Sequence, residues 1–443
     1  MNTILQIFSR FKDDFAHSKK GQERSQWFIY TMLSIIIPFT SAKSSNLLRC
    51  LQVIFGFTYI TKRRFYTFMA SPKIPWNSLW KSLNRSIPEP DTDGRLIIAL
   101  DDCINPKVGK KIFACHKFFD HAAKDNQSRY PWAQNIVAAG LLKKIKGRWA
   151  CLPLAFRFYH PKKAFDEQEV LVGTKKVEFK NKLNQAVDML EQLYQEYHFN
   201  ILFTADSWFG NNGMWKPARS RLKDKVQMLS RLRSNINLFD LAEQPAEKKR
   251  GRPRKYGKLL GKVADLALKY WSCAQEYEVD LYGNKRTVMA FEKVVMLKTI
   301  KCKARVVWVY RKTRYVALFT TDLTLSVQQI IEYYGARWKI ESGFKELKQE
   351  IGSSQTQCRN AQSVTNHLNF CMMATSIIWI YAMGLEKSPT RRHAVKGRNH
   401  FAFSDVRRGL TEAVMKKNFE GFCSETHKTT KNYIINTILR MAA

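Results

Sequence analysis

Residues 96–102 read LIIALDD, a continuous apolar run that ends in Asp101 and Asp102. An apolar run without polar alternation is typical of a strand that is buried on both faces. The segment therefore predicts an α/β fold with carboxylates at the end of a buried strand.

A second carboxylate-terminated strand is predicted further along the chain. Residues 200–205 read NILFTA and are followed by Asp206. The helix before this strand is predicted over residues 180–197 from its apolar stripe of Leu183, Val187, Leu190 and Leu193. Strand-like runs at 111–115 and 149–158 predict a meander between the two acidic strands rather than a βαβ unit.

A long helix is predicted from residue 326 to about residue 351. At about 100° per residue, one side of this helix carries Tyr334, Arg337, Glu341, Lys345 and Lys348. The neighbouring side carries the apolar stripe Ile340, Phe344, Leu347 and Ile351, which predicts packing on the core. A plain solvated surface also carries Arg, Glu and Lys, and this is the alternative interpretation.

The charge of the chain points to a polyanionic partner. Its 443 residues include 74 Lys+Arg and 37 Asp+Glu, a formal net charge of +37. Nucleic acid is the commonest such partner, and an anionic membrane surface is the alternative. The most apolar runs, 27–39 and 371–383, are shorter than the ~20 residues of a membrane span. Charges within residues 12–20 also argue against a secretory signal, so we expect a cytoplasmic, nucleoid-associated protein.

Several common cofactor motifs are missing from the sequence. The nine cysteines have no C-x-x-C spacing, which gives no support to a zinc module or a disulfide framework. There is also no phosphate-binding loop, no H-E-x-x-H and no glycine-rich dinucleotide motif. The sequence therefore predicts no requirement for ATP or NAD.

Two further regions are candidates for DNA contact. Apolar periodicity at 44–55 and 61–71 fits helix-turn-helix spacing, in which Lys62, Arg63, Arg64 and Tyr66 would meet DNA. A helical bundle with a solvated basic face is the alternative. Residues 248–257, KKRGRPRKYG, resemble an AT-hook, which would place Arg250, Arg252 and Arg254 in a narrow minor groove. A charged loop without groove preference is the alternative here.

The polar face of the long helix carries a resemblance to a known family. Tyr334-x₂-Arg337-x₃-Glu341-x₆-Lys348 resembles the Tyr-Arg-Glu-Lys signature of bacterial DDE transposases in the insertion-sequence-four family. The contexts LDDC (100–103), TADS (204–207) and YGARWKIE (334–341) are also similar, so the resemblance covers about residues 95–385. Cys103 departs from it, because relatives usually carry Thr or Ser there.

The resemblance implies a domain organisation. It implies an RNase H-like catalytic core, with residues 93–210 and 326–385 as its two parts, interrupted by a β-rich insertion at 211–325. A helical N-terminal DNA-binding region (1–92) and a basic C-terminal region (386–443) would flank it.

The resemblance also implies an activity. Asp101, Asp206 and Glu341 would be catalytic and hold two Mg²⁺, with Mn²⁺ as a substitute, while Tyr334, Arg337, Lys345 and Lys348 hold DNA phosphates. The expected function is cut-and-paste transposition of double-stranded DNA, both transposon ends and target, by a homodimer. The alternatives are an inactive transposase-derived DNA-binding protein and an RNase H-like structure-specific nuclease. Trp215, Trp271 and Trp308 are either core residues or aromatic platforms for an extruded base.

Strand alternation distinguishes the two adjacent aspartates. Asp101 shares a side with Ile97, Ala99 and Cys103, whereas Asp102 shares a side with the bulkier Leu96, Ile98 and Leu100. The smaller side leaves more room for metals and DNA. We therefore predict that Asp101 is the catalytic residue.

Overall fold

The computed structural model describes residues 2–121, 123–167, 169–172, 175–242, 254–312, 314–393, 395 and 400–416. The chain begins with the helices α1 (Asn2–Asp13), α2 (Lys19–Ile36), α3 (Ser44–Arg49), α4 (Lys62–Met69) and α5 (Trp76–Asn84). A π-helical turn, Cys50–Ile54, continues α3.

The middle of the chain alternates strands and helices. In order these are β1 (Arg95–Pro106), β2 (Cys115–Lys117), β3 (Trp132–Ile145), β4 (Arg148–Tyr159), α6 (Lys163–Glu167), β5 (Leu171–Val172), β6 (Lys175–Lys176), α7 (Lys182–Tyr197) and β7 (Asn200–Thr204). They continue with α8 (Asn212–Leu222), β8 (Val226–Arg231), β9 (Asn237–Phe239), β10 (Leu259–Lys262) and α9 (Val263–Lys269).

Long strands and long helices complete the described chain. The strands are β11 (Gln275–Leu281), β12 (Asn284–Leu297), β13 (Cys302–Arg311) and β14 (Arg314–Thr320). The helices are α10 (Val327–Lys345), which a π-helical segment Glu346–Ile351 extends, α11 (Ala361–Met383) and α12 (Phe403–Lys416). Within the described ranges, none of these helices is long and apolar enough to span a membrane.

One large mixed sheet organises the structure. Its central order is β4-β3-β1-β7-β8-β14-β13-β12. Strands β1, β7 and β8 are parallel, whereas β3 is antiparallel to both β1 and β4. The last β1–β7 pair is Ala99 with Thr204, so β7 ends beside the middle of β1, and β8 pairs with the far side of β7.

Each face of the sheet has its own core. On one face, Ile97 and Ala99 of β1 pack with residues of α10 such as Ile330 and Ile340. On the other face, Leu96, Ile98 and Leu100 join a larger core with α7, α11 and the N-terminal helices. The alternation that the sequence predicts for β1 is therefore confirmed.

Two sequence predictions about the strands are wrong. Strand β1 does not end at Asp101 and Asp102 but runs on to Pro106, because β3 pairs with it from Ile98 to Pro106. The strand predicted at 111–115 is mostly a turn, and β2 starts only at Cys115. Strand β3 itself was not predicted. The helix at 180–197, the strand at 200–205 and the helix from residue 326 are confirmed as α7, β7 and α10.

The region predicted as an insertion continues the same sheet. Strand β8 lies after residue 210 and pairs in parallel with β7, and β14 pairs antiparallel with β8. Strands β13 and β12 follow by antiparallel pairing. The domain boundaries stay predictions.

Candidate active site

The strand register brings Asp101 and Asp206 to the same level of the sheet. Ala99 of β1 pairs with Thr204 of β7 in a parallel ladder. Asp101 and Asp206 each follow this pair by two residues, so they are neighbours on adjacent chain segments. Both continue the face of the sheet that α10 covers, since Leu202 and Ala99 belong to the core on that side.

Helix α10 lies close over this face. It begins with a capping box, in which Ser326 accepts from the backbone N–H of Gln329 while the Gln329 side chain accepts from the N–H of Ser326. A Cβ atom at Gly335 would lie 2.6 Å from Leu281 Cδ2 of β11, so glycine permits the close approach at this turn. The helix thereby presents Arg337 and Glu341 to the aspartates.

Arg337 links the first and third predicted carboxylates. Its Nη1 lies 3.5 Å from Asp101 Oδ2, and its Nη2 donates to Glu341 Oε1 at 3.0 Å. The arginine is only 4% exposed, and its buried Nε has no hydrogen-bond partner among the described residues. The guanidinium also lies over the rings of Tyr334 and Trp338, at 5.6 and 5.1 Å from their centroids.

Burial is the main influence on the ionisation of Asp101. Burial raises the pKa of Asp101 from 3.8 to about 7, while Arg337 lowers it and the charges of Asp102 and Asp206 raise it. The two neighbouring carboxylates therefore repel the ionised form of Asp101. A bound cation would relieve this repulsion.

Asp206 is held by the loop that it starts. Its Oδ1 accepts from the backbone N–H groups of Trp208 and Phe209, both at 3.0 Å. The backbone carbonyl of Asp206 accepts from the Ser230 hydroxyl at 2.9 Å, and a Cβ at Gly210 would lie 2.0 Å from that hydroxyl oxygen. The tight turn fixes one carboxylate oxygen by the backbone, and no backbone N–H of the described residues donates to Oδ2.

The other signature residues are spread along the helix. Tyr334 is half-buried, and burial raises the pKa of its hydroxyl, with Asp206 contributing and Arg337 and Arg231 opposing. Lys345 is exposed at the end of α10. Lys348 lies in the π-helical segment, where its Nζ donates to the Ile104 carbonyl of β1 at 2.7 Å. A π-helix has more residues per turn than an α-helix, so the rotation of about 100° per residue used in the sequence analysis does not give the position of Lys348.

The remaining predicted DNA contacts lie elsewhere. Arg254 is exposed, whereas Arg250 and Arg252 lie outside the described residues. On α4, Lys62 and Arg63 are exposed, and Arg64 pairs with Glu23 at 2.8 Å. DNA binding by these segments stays a prediction.

Asp102 faces the opposite side of β1 and has different neighbours. Its Oδ2 accepts from Lys182 Nζ at 2.8 Å and from Asn135 Nδ2 at 2.9 Å. Lys182 in turn lies over the rings of Tyr159 and Trp208, at 5.3 and 5.5 Å from their centroids. This aspartate is part of a paired cluster and makes no contact with Arg337 or Glu341.

The aromatic residues near the carboxylates are not those that the sequence singled out. Trp215 and Trp308 are buried in the core, and Trp271 is exposed but packs on Tyr310. Trp208 and Trp338 are 44% and 48% exposed. Both tryptophans could have been identified from the sequence by their positions, because Trp208 follows Asp206 by two residues and Trp338 follows Arg337 directly.

Part of the chain matches a known family. Residues 60–277 match the family model described as DDE superfamily endonuclease. The matched range includes Asp101 and Asp206 and ends before α10. The mixed α/β fold with its large mixed sheet is consistent with a DDE nuclease fold. The match supports a DDE transposase-like protein with nuclease or transposase activity, and it implies DNA as the substrate. No curated protein matches the chain.

DDE endonucleases generally use divalent metals, and the donors at this site fit such ions by their chemistry. Carboxylate oxygens are the ligands that Mg²⁺ and Mn²⁺ prefer, and the repulsion at Asp101 favours a cation. Within the ranges that the structure describes, no three histidine, cysteine or carboxylate side chains are close enough together to hold one ion as they stand. The Arg337 guanidinium contacts both Asp101 and Glu341.

Proposed function

We propose that the protein is a DNA transposase of the DDE type, with an RNase H-like core and Asp101, Asp206 and Glu341 as its catalytic carboxylates. The observation that carries the proposal is the approach of three separate elements to one face of the sheet. Asp101 comes from β1, Asp206 follows β7, and the Arg337–Glu341 pair comes from α10.

The three carboxylates would hold Mg²⁺, with Mn²⁺ as a substitute. When bound, a pair of such ions activates the attacking oxygen and stabilises the leaving oxygen of a phosphodiester. Asp101 must be ionised to bind a cation, and Arg337 favours that form. Asp206 is oriented in advance by the backbone N–H groups of Trp208 and Phe209.

The basic residues of α10 and its extension would bind the DNA backbone. A guanidinium suits bidentate phosphate contact, and the buried Nε of Arg337 has no hydrogen-bond partner among the described residues. Tyr334 lies near Asp206 and would contact the same strand, while exposed Lys345 and the more fixed Lys348 would act as point charges. Water and then a DNA 3′-hydroxyl would be the nucleophiles of a cut-and-paste route carried out by a homodimer.

The test uses purified full-length protein and labelled duplexes that carry the DNA flanking its coding sequence. We expect cleavage with Mg²⁺ or Mn²⁺, none in excess chelator, and joined products when a target duplex is added. Glu341→Ala should abolish cutting while DNA affinity changes little, because this carboxylate repels phosphate. Cutting without joining would indicate a structure-specific nuclease. Binding without any cutting would indicate an inactive DNA-binding protein.

A further inference from the structure

A basic cleft opens beside Asp206 and is separate from the predicted DNA contacts. It has a volume of about 790 Å³, and its lining includes Ser207, Arg231, Arg233, Arg314 and Tyr315. Ser207 directly follows Asp206, so one end of the cleft adjoins the candidate active site.

The strand pairing shows which parts of the sheet border the cleft. Arg231 ends β8 and pairs with Leu318 of β14, while Arg314 begins β14 at the tip of the β13–β14 hairpin. Arg231 is two residues after Leu229, which belongs to the core under α10, so Arg231 continues the Asp101 side of the sheet. Arg231 also lies close enough to Tyr334 and Tyr315 to lower the pKa of both hydroxyls against the effect of burial. The cleft thus extends from Ser207, which is next to Asp206 in the chain, to the tip of this hairpin.

The arginines of the cleft carry unneutralised charge. Arg231, Arg233 and Arg314 are all exposed. No ion pair within the described part of the chain involves any of them, whereas the buried Arg337 contacts two carboxylates. Three unpaired guanidinium groups around one cleft produce a local positive potential that attracts a polyanion.

We propose that this cleft binds the backbone phosphates of the DNA strand that leaves the active site on the Asp206 side. The proposal rests on the proposed function, because that function supplies the scissile phosphate at the carboxylates. Phosphates recur along a strand about every 3.4 Å of helix axis, so a strand leaving the active site presents several to these arginines. Guanidinium groups suit this role because they bind phosphate oxygens in a bidentate manner.

The first measurement is the salt dependence of DNA binding in chelator. The double variant Arg233→Gln/Arg314→Gln removes two phosphate-binding charges, so the slope of log K against log[salt] should become shallower by about 1.8. The matched control is Lys298→Gln/Lys301→Gln, which removes the same charge from exposed residues at the opposite end of β12 and β13. Equal slopes for the two double variants would overturn the proposal.

The second measurement locates the contact on DNA. Single phosphates of the cleaved duplex are replaced by neutral methylphosphonates, one position at a time, and binding is measured for the wild type and for Arg231→Gln, Arg233→Gln and Arg314→Gln. A true contact appears as coupling between one arginine and one phosphate in the double-variant cycle. We expect the coupled positions on one side of the scissile bond only.

The outcomes separate the two proposals. Wild-type protein that binds DNA but never cuts would contradict the proposed function, while the salt slopes still test the cleft. Wild-type protein that cuts, together with no coupling at any phosphate, would contradict the cleft alone. Each variant should unfold at the same temperature as the wild type. This control shows that a change in DNA binding does not come from a loss of folding.

Discussion

The two faces of β1 hold adjacent aspartates in opposite chemical settings. Asp101 faces α10, is half-buried, and has Arg337 at 3.5 Å and other carboxylates nearby. Asp102 faces α7 and is already paired with Lys182 and Asn135. The first carboxylate lacks full neutralisation and the second has it. One strand thus separates a site that would gain from a cation from a site that is already satisfied.

The largest expected difference is in catalysis. Asp101→Asn should reduce metal-dependent cleavage to background, because an amide cannot replace a carboxylate as a metal ligand. Asp102→Asn should reduce cleavage by roughly tenfold or less, since it weakens only a partly exposed ion pair. Paired rate measurements on the same duplex check this, and the reverse ranking would exchange the two roles.

The second difference concerns folding stability in the absence of metal, where replacing Asp101 should stabilise the protein. Asp101 has a pKa of about 7 in the folded chain against 3.8 for a free carboxyl, so between these values only the folded chain keeps the proton. The contribution of Asp101 to the free energy of unfolding therefore falls as the pH rises from about 4 to about 7, and it then stays level.

The Asp101→Asn variant has no carboxyl group to titrate at this position, so it does not lose this stability as the pH rises. At pH 8 it should be more stable than the wild type by up to about 4 kcal/mol, with little difference at pH 4. Denaturant unfolding in chelator at both pH values provides the measurement. A variant that is less stable than the wild type at pH 8 would show that burial does not penalise the ionised Asp101.

A smaller effect is expected from the arginine between the carboxylates. Arg337 lowers the pKa of Asp101, so Arg337→Gln should move the acid limb of the pH–cleavage profile upward by about one unit. Lys182→Gln on the opposite face is the control and should move that limb less, because Lys182 acts on Asp101 through the charge of Asp102. A shift of equal size in both variants would mean that the direct contact of Arg337 with Asp101 has no special effect.

The smallest effect is the coupling within the Asp102 face. A double-variant cycle of Asp102→Asn with Lys182→Met should give a coupling energy of about 1 kcal/mol in folding stability, in line with a partly exposed pair. The same cycle with Asp101→Asn should give a value near zero. Comparable coupling in both cycles would contradict the separation of the two faces.

Local patterns in the sequence were sufficient for several elements and for the face of each aspartate. The alternation in 96–102 placed Asp101 and Asp102 on opposite sides, because side chains of a strand alternate wherever the strand lies. The apolar stripes of α7 and α10 identified those helices, and helix spacing placed Arg337 and Glu341 on one side.

Long-range pairing decided the rest. The extension of β1 to Pro106 depends on β3, whose partner residues lie 27 to 43 positions further along the chain. The neighbourhood of Asp101 and Asp206 depends on the β1–β7 register, and the cleft at Arg231 depends on β14 pairing with β8. The contact of Arg337 with Asp101 requires α10 to pack over the sheet, which Gly335 permits at Leu281. Periodicity records which way a side chain faces along its own element, but the partner that it meets is set by contacts between distant segments, and these leave no periodic trace in one sequence.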